Sequence, residues 1–234
     1  METKNDFFSR SEALLGAQAM EALRTKRVIL FGVGGVGSWC AEALVRTGLM
    51  HLTIVDDDTV QPSNINRQLL ATQATLGRPK VEALRERLLE INPKAEIIVR
   101  CERVNGEWLK ENGLAEYDYI IDAIDSVNDK TDLILYATRV RALKIYSSMG
   151  AALRFDPTQV RVAELMDVKG DALAKAVKAR MKRLGKYPNK KVKCVYSLEP
   201  AHQCEERGSL MQVTAVFGCT LASLVVKDVM SGTH

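Results

Sequence analysis

The chain has 234 residues, 47% of them hydrophobic, and a formal net charge of +4 at pH 7. This length and composition predict a single α/β domain, and so small a net charge identifies no class of partner. The five cysteines include no CxxC pair, which argues against a disulfide framework and a four-thiolate zinc site. The charged N-terminus METKNDFFSR shows no secretory signal, so we expect a cytoplasmic location.

Residues 1–27 are predicted to be a helical N-terminal segment. Apolar side chains recur at helical spacing over 9–24, which predicts one or two short amphipathic helices. Arg10 lies in the polar stretch at their start. Taken alone, it is typical of a solvated surface charge.

The stretch from residue 28 to residue 58 organises the rest of the chain. Four apolar residues enter a glycine-rich turn, a helical pattern follows, and a second apolar run ends in acid, which predicts strand, turn, helix and strand. The turn glycines would permit a sharp bend, close approach of phosphate, and close packing of helix on strand; they are Gly32, Gly34, Gly35 and Gly37. Asp56 follows about twenty residues later, where a carboxylate can bind a ribose hydroxyl. The unit is therefore predicted to bind a nucleotide.

Polar residues are unusually dense after this unit. Residues 62–64 predict a turn and a short helix, and a helix is predicted over 80–90 with Pro79 in its first turn. Lys80 then stands at a helix start, where a cation is unfavourable. A violated local rule of this kind often marks a functional site.

Three further strands are predicted at 96–101, 119–123 and 145–148, separated by helices at 108–114 and 131–141. The second of these strands runs straight into IDSVNDK. Asp122 and Asp125 would therefore lie at the carboxyl edge of the sheet, where open α/β sheets bind ligands. Residues 28–150 form the predicted nucleotide-binding core.

The pattern changes in the predicted extension at 151–234. FDPTQVRVAEL reads as antiparallel strands, a strand is predicted at 194–199, and a long helix at 211–230 closes the chain. Polar residues interrupt the apolar run at 210–226, so a buried helix is preferred to a membrane span. The predicted fold is α/β, with a Rossmann-like, mostly parallel sheet flanked by helices and a C-terminal antiparallel extension.

The stretch KAVKARMKRLGKYPNKKVK at 175–193 holds nine Lys or Arg and no acid. A solvated helix followed by a mobile loop would account for this composition. Contact with a polyanionic backbone would account for it as well.

Four motifs occur in one order: GVGGVGS at 32–38, DDDTVQPSNINRQ at 56–68, the lysine of RPK at 80, and DAIDS at 122–126. With SRSEALLG at 9–16, they resemble the ubiquitin-activating-like (ThiF-type) adenylyltransferases, which include the sulfur-carrier-activating enzymes of molybdopterin and thiamine synthesis. The resemblance implies ATP and Mg²⁺ as cofactors, with a monovalent cation as an optional addition.

The resemblance also implies a role for each site residue. Asp56 would bind the ribose of ATP, the turn glycines and Asp58 would contact the nucleotide, and Asp125 would hold Mg²⁺ with Asp122 as a second metal residue. The residues lining the triphosphate would be Asn64, Arg67, Gln68 and Lys80.

A homodimer is implied as well, because Arg10 would reach the phosphates of the neighbouring subunit. The catalytic set would then be Arg10, Arg67, Lys80 and Asp125. A carboxylate that attacks the α-phosphorus of ATP meets repelling anions, and pyrophosphate gains charge as it leaves. Cations held in place would neutralise that charge.

The second half of the chain separates branches of the family. YSSMGAALRFDPTQVRV, KCVYSLEP and VTAVFG are similar to the tRNA threonylcarbamoyladenosine dehydratase branch. The resemblance implies adenylation of the threonyl carboxylate on a modified adenosine, followed by ring closure with release of AMP and net loss of water. It implies that the basic stretch binds tRNA, and that cysteine desulfurase or sulfur-acceptor partners are expected. Cys204 is either a reactive cysteine or a spare thiol.

Three other functions compete with this interpretation. One is adenylation of the C-terminal glycine of a sulfur-carrier protein, against which the absent CxxC pairs count. Another is an NAD-linked oxidoreductase, which would leave the NINRQ motif and Lys80 unexplained. The last is a non-enzymatic nucleotide sensor, which would not need so many charged site residues.

Overall fold

Seven strands form one sheet in this computed structural model, which describes residues 7–206 and 208–232. In chain order they are β1 (Arg27–Phe31), β2 (His51–Val55), β3 (Glu96–Arg100), β4 (Tyr119–Asp122), β5 (Lys144–Ser148), β6 (Val160–Glu164) and β7 (Lys193–Ser197). Across the sheet the order is β3-β2-β1-β4-β5-β7-β6, and only the β6–β7 pair is antiparallel. The predicted mostly parallel sheet with an antiparallel extension is confirmed.

Helices cover both faces of this sheet. The described residues form α1 (Ser9–Leu15), α2 (Ala17–Thr25), α3 (Gly37–Thr47), α4 (Lys80–Ile91), α5 (Gly106–Asn112), α6 (Val127–Ala137), α7 (Ala172–Leu184) and α8 (Met211–Ser231). Side chains of α2, α3, α4 and α8 form the core on one face, and those of α5, α6 and α7 form it on the other. A sheet covered on both faces explains why β1 after Arg27 is a continuous, buried apolar run.

Some element boundaries differ from the sequence prediction because capping residues set them. Helix α6 begins four residues earlier than predicted, since the Ser126 hydroxyl accepts a hydrogen bond from the Asp129 amide. Helix α5 begins two residues early, since the Asn105 side chain accepts from two amides of its first turn. The predicted strand near residue 155 begins only at Val160, because a 3₁₀ turn over Pro157–Gln159 precedes it. Residues 1–6 of the predicted N-terminal segment lie outside the described residues.

Helix α8 is long and apolar enough to cross a bilayer, and no other helix in the described ranges meets that criterion. Half of its most apolar stretch is buried inside the protein. Near its end, Asp228 accepts hydrogen bonds from the Tyr119 hydroxyl at 2.7 Å and from Lys144 Nζ at 2.5 Å. These contacts place α8 in the helical layer, as the sequence predicted.

From β1 the chain adds β2 and then β3 toward one edge of the sheet. The next strand, β4, pairs with the other edge of β1. The winding direction therefore reverses between β1 and β4. Open α/β sheets bind ligands at the carboxyl ends of the strands beside such a reversal.

Candidate active site

A cavity of about 520 Å³ opens at this reversal, beyond the carboxyl ends of β1, β2, β4 and β5. Small-ligand sites usually have volumes of about 300–1,000 Å³. Most of the predicted site residues line it: Gly32, Gly34, Gly35, Asp56, Asp58, Asn64, Arg67, Gln68, Lys80 and Asp125. Gly37, Asp122 and Arg10 do not.

The glycine turn between β1 and α3 forms one wall of the cavity. Gly32 has φ +84°, and a Cβ there would lie 2.9 Å from the Ala123 carbonyl oxygen. At Gly37 a Cβ would lie 1.8 Å from the Gly32 carbonyl oxygen, so no side chain fits where the helix starts. The chain therefore turns tightly and presents backbone amides near the N-terminus of α3, a favourable place for phosphate.

Asp56 follows β2 and is held against the glycine turn. Its carboxylate accepts hydrogen bonds from the Val33 amide at 2.8 Å and from the Asp58 amide at 2.9 Å. Burial raises the pKa of the Asp56 carboxyl, and the nearby Lys80 charge opposes that rise. The carboxylate oxygens keep acceptor capacity for a ligand hydroxyl.

Lys80 is the first residue of α4, and its side chain is only 7% exposed. Its Nζ donates a hydrogen bond to Asp58 Oδ2 at 2.6 Å, and its amide donates to the Asp58 carbonyl at 3.0 Å. The Asp58 carboxylate thus offsets the unfavourable interaction between the Lys80 charge and the dipole of α4. Both residues of the pair line the cavity.

The NINRQ segment contributes a second cation and two amide side chains. Arg67 Nη1 donates to the Ser63 carbonyl at 2.8 Å and to Asn66 Oδ1 at 2.9 Å, and within the described residues the guanidinium has no acidic partner. Asn64 is buried and accepts from the Gln61 amide. Gln68 is 6% exposed, and its Oε1 has no hydrogen-bond partner in the described part of the chain. A buried acceptor without a partner suits a site that a polar ligand completes.

The two acids after β4 have different environments. Asp125 is exposed, lines the cavity, and makes no hydrogen bond to any described residue. A free carboxylate of this kind is a suitable Mg²⁺ ligand. Asp122 is fully buried below the cavity and pairs with Lys130 at 2.7 Å. This placement differs from the expectation that Asp122 binds metal directly.

Arg10 lies on α1, is exposed, and does not line the cavity of its own chain. Helix α1 has no buried residue, and Leu14 on it is 82% exposed. The predicted contact between Arg10 and phosphate would therefore need a second copy of the chain.

Several cavity residues had not been identified from the sequence: Glu102, Arg103, Asp129, residues 148–152, Leu173, Ser209 and Thr214. Arg103 pairs with Asp129 at 3.0 Å. Residues 102–103 and 148–152 follow β3 and β5, so the rule that ligands bind at carboxyl ends could have identified them. Ser209 and Thr214 carry no such local signal, because the loop before α8 and the first turn of α8 reach the site only through tertiary packing.

The cavity therefore combines bare backbone amides, two inward-facing cations, a carboxylate suited to a ribose and a free carboxylate suited to a metal. This combination fits a nucleoside polyphosphate. Because Arg67, Lys80 and Asp125 line the same cavity as the glycine turn, the site can stabilise charge that develops on a phosphate bound there.

Comparisons with known proteins agree with this geometry. A model described as "ThiF family" matches residues 8–233. The chain is 38% identical over 178 residues to the Bacillus subtilis tRNA threonylcarbamoyladenosine dehydratase, which covers 76% of this chain and 70% of that protein. The Escherichia coli molybdopterin-synthase adenylyltransferase is 36% identical over 136 residues, 58% of this chain and 53% of that protein.

A solved structure is similar over nearly the whole chain. The crystal structure of the Escherichia coli tRNA N6-threonylcarbamoyladenosine dehydratase in complex with ATP has a TM-score of 0.90 at 35% identity, covering 96% of this chain and 94% of that one. The resemblance to ThiF-type adenylyltransferases is thereby confirmed. This chain belongs to the ThiF family.

Proposed function

We propose that this protein is an ATP-dependent tRNA threonylcarbamoyladenosine dehydratase. The observation that carries the proposal is the cavity itself, which joins Arg67, Lys80 and Asp125 to a nucleotide-binding turn. The similarity to named dehydratases extends over most of the chain, including the extension after residue 150. We treat residues 1–234 as one functional domain located in the cytoplasm.

The first step is adenylation of the threonyl carboxylate. A carboxylate oxygen attacks the α-phosphorus of ATP, and the bond to the β-phosphate oxygen breaks to release pyrophosphate. Arg67 and Lys80 neutralise the charge that builds on the leaving group. Asp125 would hold Mg²⁺, which supplies further positive charge at the phosphates.

Ring closure is the second step. A nitrogen of the same side chain attacks the activated acyl carbon and loses its proton, and AMP leaves with the former carboxylate oxygen. The net loss of water from the tRNA is then balanced by conversion of ATP to AMP and pyrophosphate. The protein contributes no covalent nucleophile.

The cysteines are consistent with this route. All five lie in the described part of the chain, and none lines the cavity. Burial raises the pKa of the Cys194 thiol to about 12 and that of Cys40 further. Thiols of this kind are poor nucleophiles at neutral pH. Cys204 is exposed outside the cavity and remains available to a sulfur-transfer partner.

The proposal includes a homodimer in which Arg10 acts in the neighbouring site. Helix α1 exposes Leu14 and Arg10, and Phe7 just before it is 74% exposed. A helix that buries no apolar side chain in its own chain is suited to packing on another. The exposure of helix α1 therefore supports a contact between Arg10 and a second copy of the chain.

The proposed tRNA surface is the basic end of α7, formed by Lys182, Arg183 and Lys186. These side chains are exposed and have no acidic partner among the described residues. Leu173, near the start of α7, lines the cavity, and a helix of 13 residues spans about 20 Å. The basic end could then contact phosphates one helix length from the reacting base.

The decisive experiment combines purified protein, ATP and Mg²⁺ with tRNA that bears or lacks threonylcarbamoyladenosine. We expect AMP and pyrophosphate release only with the modified tRNA, and a nucleoside product lighter by one water in mass spectrometry. Labelling the threonyl carboxylate with ¹⁸O should transfer label to AMP. Absence of the mass loss would refute the proposal.

The second candidate is adenylation of a sulfur-carrier protein, which the similarity to the molybdopterin-synthase adenylyltransferase favours. That similarity stops short of the full chain, whereas similarity to the dehydratases extends further. Formation of an acyl-adenylate on the C-terminal glycine of such a carrier, without activity on tRNA, would support this candidate instead.

A further inference from the structure

Three polar side chains from three elements form a buried network below the cavity floor. Lys130 Nζ on α6 donates to Asp122 Oδ2 at 2.7 Å and to Ser147 Oγ at 3.2 Å. The Ser147 hydroxyl donates to the same carboxylate oxygen at 2.6 Å. All three residues are 0% exposed. Burying an ion pair is costly, and apolar side chains of similar size often stabilise a fold as well, so stability alone does not explain the network.

The network is attached to the ends of two neighbouring strands, β4 and β5, that lead into the cavity lining. Asp122 ends β4, and its Oδ1 accepts a hydrogen bond from the Ile124 amide at 3.2 Å, one residue before Asp125. Ser147 lies in β5, which leads directly into the cavity-lining residues 148–152. A displacement at Lys130 would therefore reach both Asp125 and residues 148–152, which follow neighbouring strands.

The influence of the network on the cavity is geometric. One buried cation faces one buried anion, so the pair carries no net charge toward the phosphates. Ser147 occupies remaining hydrogen-bonding capacity of Lys130 and Asp122. A fully satisfied network of this type holds its members in one arrangement.

We propose that Lys130 is a positioning residue that, through Asp122 and Ser147, holds Asp125 and the 148–152 wall in the relative position required for adenylation. This inference rests on the proposed function, since the nucleotide lies on the Asp125 side and residues 148–152 would face the acceptor carboxylate. Lys130 itself touches neither substrate nor metal.

The first test is the double variant Asp122→Asn/Lys130→Met, which removes both charges and leaves no unpaired buried ion. We expect it to fold and to bind ATP without Mg²⁺ like the parent protein. We expect the Mg²⁺-dependent gain in ATP affinity, measured by calorimetry, to fall by about 10–100-fold, the usual cost of removing a residue that orients a metal ligand. In the presence of Mg²⁺, the kcat for AMP release should fall and the KM for ATP should rise with the lost affinity.

Lys144→Met is the matched control, because Lys144 also pairs with a carboxylate, Asp228 Oδ2 at 2.5 Å, but at the start of β5 and outside the cavity lining. A double variant that keeps the parental Mg²⁺ response and kcat, as the control should, would overturn the inference.

Ser147→Ala supplies an independent test if the double variant does not fold. It keeps the ion pair and removes only the link to β5. We expect a raised KM for modified tRNA with unchanged ATP binding, and an unchanged KM would overturn the inference.

A parent protein that binds Mg²⁺ and ATP but never acts on modified tRNA would instead refute the proposed function. The calorimetric comparison would still decide the role of Lys130.

Discussion

Lys80 is a cation at the first residue of a helix, where the helix dipole opposes positive charge by about 0.3–1 kcal/mol. The fold tolerates it because the Asp58 carboxylate accepts a hydrogen bond from Lys80 Nζ at 2.6 Å. Asp58 is 67% exposed while Lys80 is 7% exposed, so the acid can be solvated if phosphate replaces it as the partner of the lysine. The ion pair thus holds the Lys80 ammonium group in a position where an anionic ligand can bind it.

Replacing Lys80 with alanine tests this role. We expect AMP release to fall by about 10²–10³-fold, the usual loss when one group that stabilises developing charge is removed. The fold should persist, because the exposed Asp58 is solvated without its partner. Lys94→Ala, at an exposed lysine outside the cavity, is the control. Full retention of ATP–pyrophosphate exchange in the Lys80 variant would mean that the site is misplaced.

At the scale of elements, the start of α7 is tied to the cavity wall by one buried acid. Asp171 is 4% exposed; its Oδ1 accepts from the Ala174 amide at 2.8 Å and its Oδ2 from the Gly150 amide at 3.0 Å. One carboxylate therefore caps the helix and fixes the turn after β5. Asp171 therefore couples the position of α7 to the shape of the cavity lining at residues 148–152.

Asp171→Ala removes both roles of this carboxylate, the cap on α7 and the hydrogen bond to the Gly150 amide. Loss of the cap is expected to lower the free energy of unfolding by about 0.5–2 kcal/mol. Release of Gly150 should also raise the KM for tRNA. Asp156→Ala is the control, since Asp156 caps the 3₁₀ turn over Pro157–Gln159 and does not contact the cavity wall. If both variants lose stability but neither changes the KM, the wall does not depend on Asp171.

At the scale of the whole molecule, we propose that a second copy of the chain completes the cavity with Arg10. In its own chain Arg10 is exposed and absent from the lining. Helix α1 packs chiefly with α2 and leaves Leu14 82% exposed. The proposed unit of function is then a dimer with two shared sites.

Mixing two inactive variants tests this sharing. Arg10→Ala and Lys80→Ala should each lose activity as homodimers. After subunits exchange, one of the two sites in each mixed dimer has both cations, so random pairing should restore about one quarter of the parental activity in a symmetric dimer. Mixing Lys80→Ala with Arg67→Ala, whose cations lie in the same chain's cavity, should restore none. No recovery in the first mixture would place Arg10 outside the partner's site.

Charge is also distributed unevenly over the molecule. The net charge is only +4, yet the basic end of α7 concentrates three cations without acidic partners in the described part. Lys182→Glu/Lys186→Glu should raise the KM for tRNA and leave ATP binding unchanged. The slope of log affinity against log salt should become shallower by about 1 for each lost phosphate contact. Lys94→Glu/Lys110→Glu makes the same charge change elsewhere on the protein. An equal rise in the KM for tRNA from this control would show that the basic end of α7 is not a specific tRNA surface.

The sequence alone determined the features that depend on neighbours along the chain. The glycine turn, the acid after β2 and the cation at the start of α4 were all predicted, because turn geometry and the β-α-β order are local properties. The parallel sheet followed from the same alternation of apolar runs and helical patterns. The 3₁₀ turn before β6 and the early start of α6 were missed, because side-chain caps compete with propensity at element ends.

Tertiary structure alone decided which polar groups face the ligand. Asp122 and Asp125 are three residues apart and equally acidic in sequence, yet one is buried against Lys130 and the other is exposed in the cavity. Ser209, Thr214 and Leu173 reach the same cavity from distant segments. Burial and long-range packing depend on how layers meet around the sheet, and no local pattern encodes them.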